Sequence, residues 1–121
     1  APRGPLAEAL AARLYRAILG RDPDRPGLAG ATALIERGEL REQVEIMLRS
    51  QEFREKRSQL RPHELRNSFN EGIFDRELDR AGERAYLDEV ARGGAATVLM
   101  TLLASDELER VLLRDTARKD R

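Results

Sequence analysis

LYRAILGRDPDRPGLAGATALIERGELREQVEIMLRSQEF, residues 14–53, and FNEGIFDRELDRAGERAYLDEVARGGAATVLMTLLASDEL, residues 69–108, align without a gap at a shift of 55 residues. Arg21/Arg76, Asp24/Asp79, Arg25/Arg80, Gly27/Gly82, Gly38/Gly93, Ser50/Ser105 and Glu52/Glu107 are identical pairs. Leu14/Phe69, Leu19/Phe74, Val44/Leu99 and Met47/Leu102 stay apolar in both stretches. A fixed internal period is the mark of a duplicated supersecondary unit. Low-complexity sequence would match in composition without keeping glycines and acidic turn residues in place. The reading is two copies of one helical unit, about 6–57 and 61–113, in a single domain spanning 1–121.

Within the first copy, Leu6, Leu10, Leu14, Ala17 and Ile18 recur at steps of four and three, the spacing that lines one helical face. A helix is therefore predicted from about Leu6 to Leu19. Gly20 stands where a left-handed C′ residue ends such a helix. Asp22-Pro23-Asp24 follows as a turn, because Pro23 fixes its own φ and biases Asp22 away from the α region. Asp24 is the expected N-cap of a second helix, accepting from open N–H groups two or three residues on. That helix carries Leu28, Ala31, Leu34 and Ile35 and stops at Gly38. A third carries Leu40, Val44, Met47 and Leu48, and Ser50 opens a short fourth.

The second copy repeats the plan, with Pro62 at an N1 position and Leu65, Phe69 and Ile73 facing inward. Asp79 is the next cap, and Tyr86, Leu87 and Val90 form the next inner face. Gly93-Gly94 ends that helix, and Val98, Leu99, Leu102 and Leu103 supply another. Leu108, Val111 and Leu112 continue the stripe after Ser105. No alternating apolar run of useful length suggests a sheet. The expected fold is all-α: a compact orthogonal bundle of six to eight short helices formed by two pseudo-symmetric copies of a helical repeat. A copy of about 50 residues alone would struggle to bury enough surface.

Charged residues make up 36% of the chain against a usual share of about a quarter. The 22 basic and 22 acidic side chains cancel, which removes the long-range field that draws proteins to nucleic acid or anionic lipid. Arg greatly outnumbers Lys, a skew that suits phosphate recognition but also follows from GC-rich coding. Here Arg alternates with Asp and Glu, which reads as a solvated, paired surface. The chain has no cysteine, so disulfides, thiolate metal sites and a Cys nucleophile are excluded. No apolar run nears the roughly 20 residues that span a bilayer. The opening Ala1-Pro2-Arg3 lacks Met, which predicts a processed chain or a fragment of something longer.

Asp22-Pro23-Asp24-Arg25-Pro26-Gly27 partly matches the start of a calcium loop, but Pro26 and Ala33 occupy ligand positions, so helix capping is the expected role. His63, the single histidine, has no neighbouring Ser or Cys to activate. Abundant carboxylates such as Asp106 and Glu107 need no catalytic explanation. Gly93-Gly94 follows a helix and is not a phosphate loop. No catalytic residue, metal ligand or cofactor is expected. Arg49, Arg54, Lys56, Arg57 and Arg61 form a locally basic segment, a candidate interaction patch; without interleaved aromatics it does not argue for nucleic acid. Arg21 and Arg76 precede an acidic turn in both copies and are expected to fasten it to a neighbouring helix end. The structural turn and caps are thus Gly20, Arg21, Asp22, Asp24, Gly27, Arg76, Asp79 and Gly82.

The run L-Y-R-A-I-L-G-R-D-P-D-R-P-G-L (Leu14–Leu28), with its Gly-ended helix and S-Q-E-F (Ser50–Phe53), resembles a bacterial domain family of unknown function. That family recurs in tandem in secreted, surface and glycan-related proteins and is distantly similar to the phycobilisome linker domain. In the second copy Asp75, Glu77 and Leu78 replace Gly20, Asp22 and Pro23. The resemblance implies a helical assembly module and carries no catalytic residues. The expected function is a non-catalytic protein–protein interaction or scaffold module of a larger bacterial envelope-associated or exported protein. The expected location is extracellular, cell-surface or periplasmic, without membrane insertion. The alternative is a carbohydrate or surface-polymer binding module.

Overall fold

Residues 1–57, 59–77, 85, 88 and 91–119 are described in the computed structural model. Among them the chain forms seven α-helices and no strand. These are α1 (Pro5–Leu14), α2 (Arg25–Glu36), α3 (Leu40–Arg49), α4 (Gln51–Arg57), α5 (Pro62–Phe74), α6 (Ala95–Leu103) and α7 (Asp106–Lys119). A π-helical segment, Tyr15–Leu19, continues α1, and a 3₁₀ turn, Ala91–Gly93, precedes α6. The Asp79 cap, Gly82 and the inner face assigned to Tyr86, Leu87 and Val90 lie outside the described residues.

The helix expected over 6–19 is thus two pieces, an α-helix and a wider π turn. A π turn is rare and is used in single turns where a helix meets a special constraint. The constraint here is a crossing: α5 passes over the π segment so closely that a Cβ on Gly72 would lie 2.4 Å from the Ala17 Cα. Only glycine allows that approach. Gly20 then ends the segment at φ 71°, in the left-handed region. Asp75 ends α5 in the same conformation, φ 61°, although it carries a side chain. Asp is among the few residues that tolerate this region.

The other boundaries follow local chemistry. Asp24 Oδ1 accepts from Gly27 N–H at 2.7 Å and opens α2. At its far end, Glu39 N–H donates to Leu34 and Gly38 N–H to Ile35, the paired bonds of a Schellman stop. Ser50 Oγ accepts from Phe53 N–H at 3.1 Å, capping α4. Pro62 begins α5, where Glu64 Oε1 accepts from Arg61 N–H.

α1 runs through the middle, packed by α2, α5 and α7, while α6 closes the core against α3 and α5. Ala7, Leu10, Leu14, Ala17 and Ile18 are completely buried, as are Ile35, Val44, Ile73 and Leu99. Small residues on α1 bring its neighbours close, and the branched and aromatic side chains of both halves fill one continuous core.

Two glycines separate crowding from helix propensity. Gly72→Ala should lower stability by about 2 kcal/mol, because overpacking against backbone outweighs the gain in propensity. Gly30→Ala, inside α2 with nothing within 4 Å of the new Cβ, should raise it by up to about 1 kcal/mol. Urea denaturation reads both, and equal signs would contradict the crossing.

Candidate functional site

Arg13 is the most deeply buried charge among the described residues, at 2% exposure. It sits on α1, one turn before the π segment. Its Nε donates to Asp115 Oδ2 at 2.6 Å, and Nη2 donates to Asp115 Oδ1 at 2.7 Å and Asp75 Oδ2 at 2.9 Å. Nη1 donates to the carbonyls of Ile73 at 3.1 Å and Gly72 at 3.4 Å. A guanidinium has five N–H donors, and all five are used. The bidentate grip on Asp115 is the strong geometry for such a pair. Burial works against the charge, but the bonds to Asp115 and Asp75 outweigh it and raise the Arg13 pKa. The Asp75 carboxyl is in turn held below its ordinary value, chiefly by its bond from Arg13.

This cluster solves the end of α5. The last carbonyls of a helix have no partner within it, and Arg13 reaches across from α1 to take two of them. At the end of the π segment the carbonyls of Ala17 and Ile18 have the same need. Arg57 donates to Ile18 O at 3.1 Å and Ala17 O at 3.3 Å, and Ser68 Oγ donates to Ala17 O at 3.2 Å. Arg57 also donates to Ser68 Oγ. It has no carboxylate partner among the described residues, and desolvation lowers its pKa.

The two acidic turns are tied by a recurring pair. Arg21 grips Glu52 with Nε at 2.6 Å and Nη2 at 2.9 Å. Arg76 grips Glu107 with Nε at 2.9 Å and Nη2 at 2.8 Å. Each Arg also donates to the carbonyl of the next residue, Asp22 or Glu77. Arg21 lies 5.2 Å from the Tyr15 ring centroid and Arg76 5.6 Å from that of Phe74, within cation–π range. The bond from Arg21 lowers the Glu52 pKa to about 2.

Outside this cluster a cleft of about 530 Å³ opens between α1 and α7, reaching Leu28 on α2 and Asp75 at the end of α5. Its floor is small and apolar, from Ala9 and Ala12, and Arg16, Arg114 and Arg118 stand around it. Arg114 donates one bond to Asp75 at 3.0 Å. Arg16 pairs with Asp22 at 2.9 Å in a largely exposed contact.

No family model, curated protein or solved structure matches this chain.

The residues singled out from the sequence fall in separate places. Gly20, Arg21, Asp22, Asp24 and Gly27 gather at the first turn, where Gly27 makes room for the Tyr15 hydroxyl 2.5 Å from its would-be Cβ. Arg76 occupies the second turn; Asp79 and Gly82 are outside the described residues. The basic segment does not form one patch. Arg57 turns inward, Lys56 pairs with Glu52, and Arg49 pairs with Glu42 and Glu45. Arg54 and Arg61 are exposed, as is His63. Among the described residues no group of acidic or histidine side chains is arranged to hold a metal ion.

Arg13, Asp75 and Asp115 escape the linear pattern. Arg13 is one Arg among many, and its partners lie far along the chain. The available signal was an Arg on the inner face of a helix whose neighbours, Leu10 and Leu14, are core residues.

Replacing Arg13 by Ala leaves Asp75 and Asp115 without their main partner and should cost about 3 kcal/mol. Arg21→Ala, in a pair about one-third exposed, should cost about 1 kcal/mol. Because the folded-state pKa of Glu52 is depressed, its contribution is complete above the ordinary 4.5 and is lost as pH falls toward about 2. The Arg21 variant should therefore show a weaker loss of stability across that interval. Thermal denaturation over a pH series measures it, and an unchanged acid slope would refute the coupling.

Proposed function

We propose that this chain is a non-catalytic protein–protein interaction or scaffold module, part of a larger bacterial envelope-associated or exported protein. The observation that carries this reading is the open cleft between α1 and α7, a concave surface set on a rigid base by the saturated Arg13. Binding sites built on packed helices keep their geometry better than sites on loops. The resemblance of Leu14–Phe53 to a tandem bacterial domain family fits the same reading.

The module is, in this proposal, a duplication with approximate twofold symmetry and orthogonal packing. Support comes from the paired Arg21–Glu52 and Arg76–Glu107 grips and the left-handed residues Gly20 and Asp75. Further support is that Ala17 and Gly72, partners at the 55-residue shift, touch each other. Two equivalent residues meet in this way when they sit beside a twofold axis. The carbonyls taken by Arg13 belong to Gly72 and Ile73, and those taken by Arg57 belong to Ala17 and Ile18, again partners at that shift.

The carbohydrate alternative draws less support. Sugar faces are commonly met by exposed rings, whereas Phe69 and Phe74 are buried and Tyr15 and Phe53 are packed against the core. Among the described residues no helix is long and apolar enough to cross a membrane.

Cross-linking in the native cell, followed by affinity capture and mass spectrometry, tests the reading. A specific protein should be retained by the wild type and reduced with Arg118→Glu, whose side chain stands in the cleft. Retention of nothing above background would overturn it.

A further inference from the structure

We infer that the α1–α7 cleft receives a short, extended, acidic peptide segment of a partner protein, held by Arg16, Arg114 and Arg118. This inference rests on the reading of the chain as an interaction module and names the chemistry of its partner.

Charge selects the ligand. Four guanidiniums line the cleft, those of Arg13, Arg16, Arg114 and Arg118, against the carboxylates of Glu8, Asp75 and Asp115. Asp75 and Asp115 share the buried Arg13, and Arg114 brings a second positive charge to Asp75, so the charge of these two carboxylates is met within the wall. Arg118 has no ionic partner among the described residues. Among the described residues Arg114 makes a single bond, to Asp75. Among the described residues Arg16 is ion-paired with the exposed Asp22, a contact of the kind that contributes little and exchanges readily. Three forked donors therefore face the cleft with N–H groups to spare, the geometry suited to carboxylates.

Shape and surroundings narrow the choice. Glu8 to Arg16 is eight residue steps along α1 and its continuation, about 12 Å of wall at helical rise. An extended chain covers that length in three to four residues. The volume of about 530 Å³ lies in the usual range of ligand sites. Ala9, Ala12 and Leu28 offer apolar contact to peptide side chains, and among the described residues no aromatic ring lines the cleft to stack on a sugar. Asp75, the single non-glycine residue of positive φ among those described, forms part of the wall. Such conformations persist where the surroundings over-determine them and concentrate at binding sites.

The test titrates ¹⁵N-labelled full chain with the blocked peptide Ac-EAEAEA-NH₂, its lysine counterpart Ac-KAKAKA-NH₂, and an acidic trisaccharide of uronic acid. The acidic peptide should shift the amides of Ala9, Ala12, Arg16 and Leu28, weaken with added salt, and lose about tenfold in affinity in Arg118→Glu. Arg118 has no ionic partner among the described residues, so the variant should stay close to the wild-type melting temperature. Arg16→Ala, read the same way, gives a second loss of affinity that does not depend on α7. Shifts from the lysine peptide alone, shifts from the saccharide alone, or no shift at the cleft would each overturn the inference. Wild-type chain that captures a specific protein from cells but leaves the acidic peptide unbound would sink this inference while sparing the interaction-module reading. Failure of capture itself removes both.

Discussion

A buried guanidinium can be kept in a protein core only if its charge and all its donors are met, and Arg13 is the place where this fold meets that demand. Isolated burial of such an ion is expensive, and the compensation must come from close, well-directed partners. The partners of Arg13 belong to two elements: the end of α5, through its carbonyls and the αL residue that terminates it, and α7, through Asp115. One side chain of the central helix thus fixes the position of two others. The other buried positions of α1, Ala7, Ala9, Leu10, Ala11 and Leu14, are all apolar, so its directed polar contacts to α5 and α7 come from Arg13. Arg13 sets its register.

The close crossing of Ala17 and Gly72 has the same consequence from the apolar side. Two backbones this near leave no room for a side chain, and the crossing point is therefore fixed to one residue on each element. The π turn belongs to this arrangement, because it lies at the crossing and presents Ala17 O and Ile18 O where Arg57 and Ser68 reach them. Packing and polar satisfaction agree on one geometry. Consistency of that kind is what separates a single native state from a family of similar packings.

Helix content, caps and most of the core were legible because they depend on neighbours in sequence. Asp24, Ser50 and Pro62 act within three residues of themselves, and the apolar period of α1, α3 and α6 needs no knowledge of the rest. The change from α to π at Tyr15 was not legible, since nothing near it in sequence marks the crossing with Gly72, far along the chain. In the sequence Arg57 belongs to a locally basic segment, with Arg54 and Lys56 before it and Arg61 after it. Its inward turn depends on two open carbonyls of another helix. The cleft was hidden for the same reason: Arg114 and Arg118 carry no mark until α7 is laid beside α1. Long-range ionic contacts are the part of a charge-rich sequence that composition conceals, since every Arg has several nearby acids that would serve equally well on paper.

The difference between the two helix ends explains why the cleft lies where it does. At the first end the C′ residue is Gly20, and the Arg57 guanidinium lies against it, 3.0 Å from where a Cβ would stand. That end is closed by an arginine that has no carboxylate partner among the described residues. At the second end the C′ residue is Asp75, whose carboxylate is approached by Arg13 from inside and Arg114 from outside. An aspartate in the left-handed region is less comfortable than glycine, yet here it links the buried charge to the rim of the cleft. Under the proposed duplication, the exchange of glycine for aspartate at one of two equivalent positions is enough to turn one helix end into packing and the other into a charged wall. The proposed binding surface is, on that reading, a product of where the copies differ, supported by the features in which they agree.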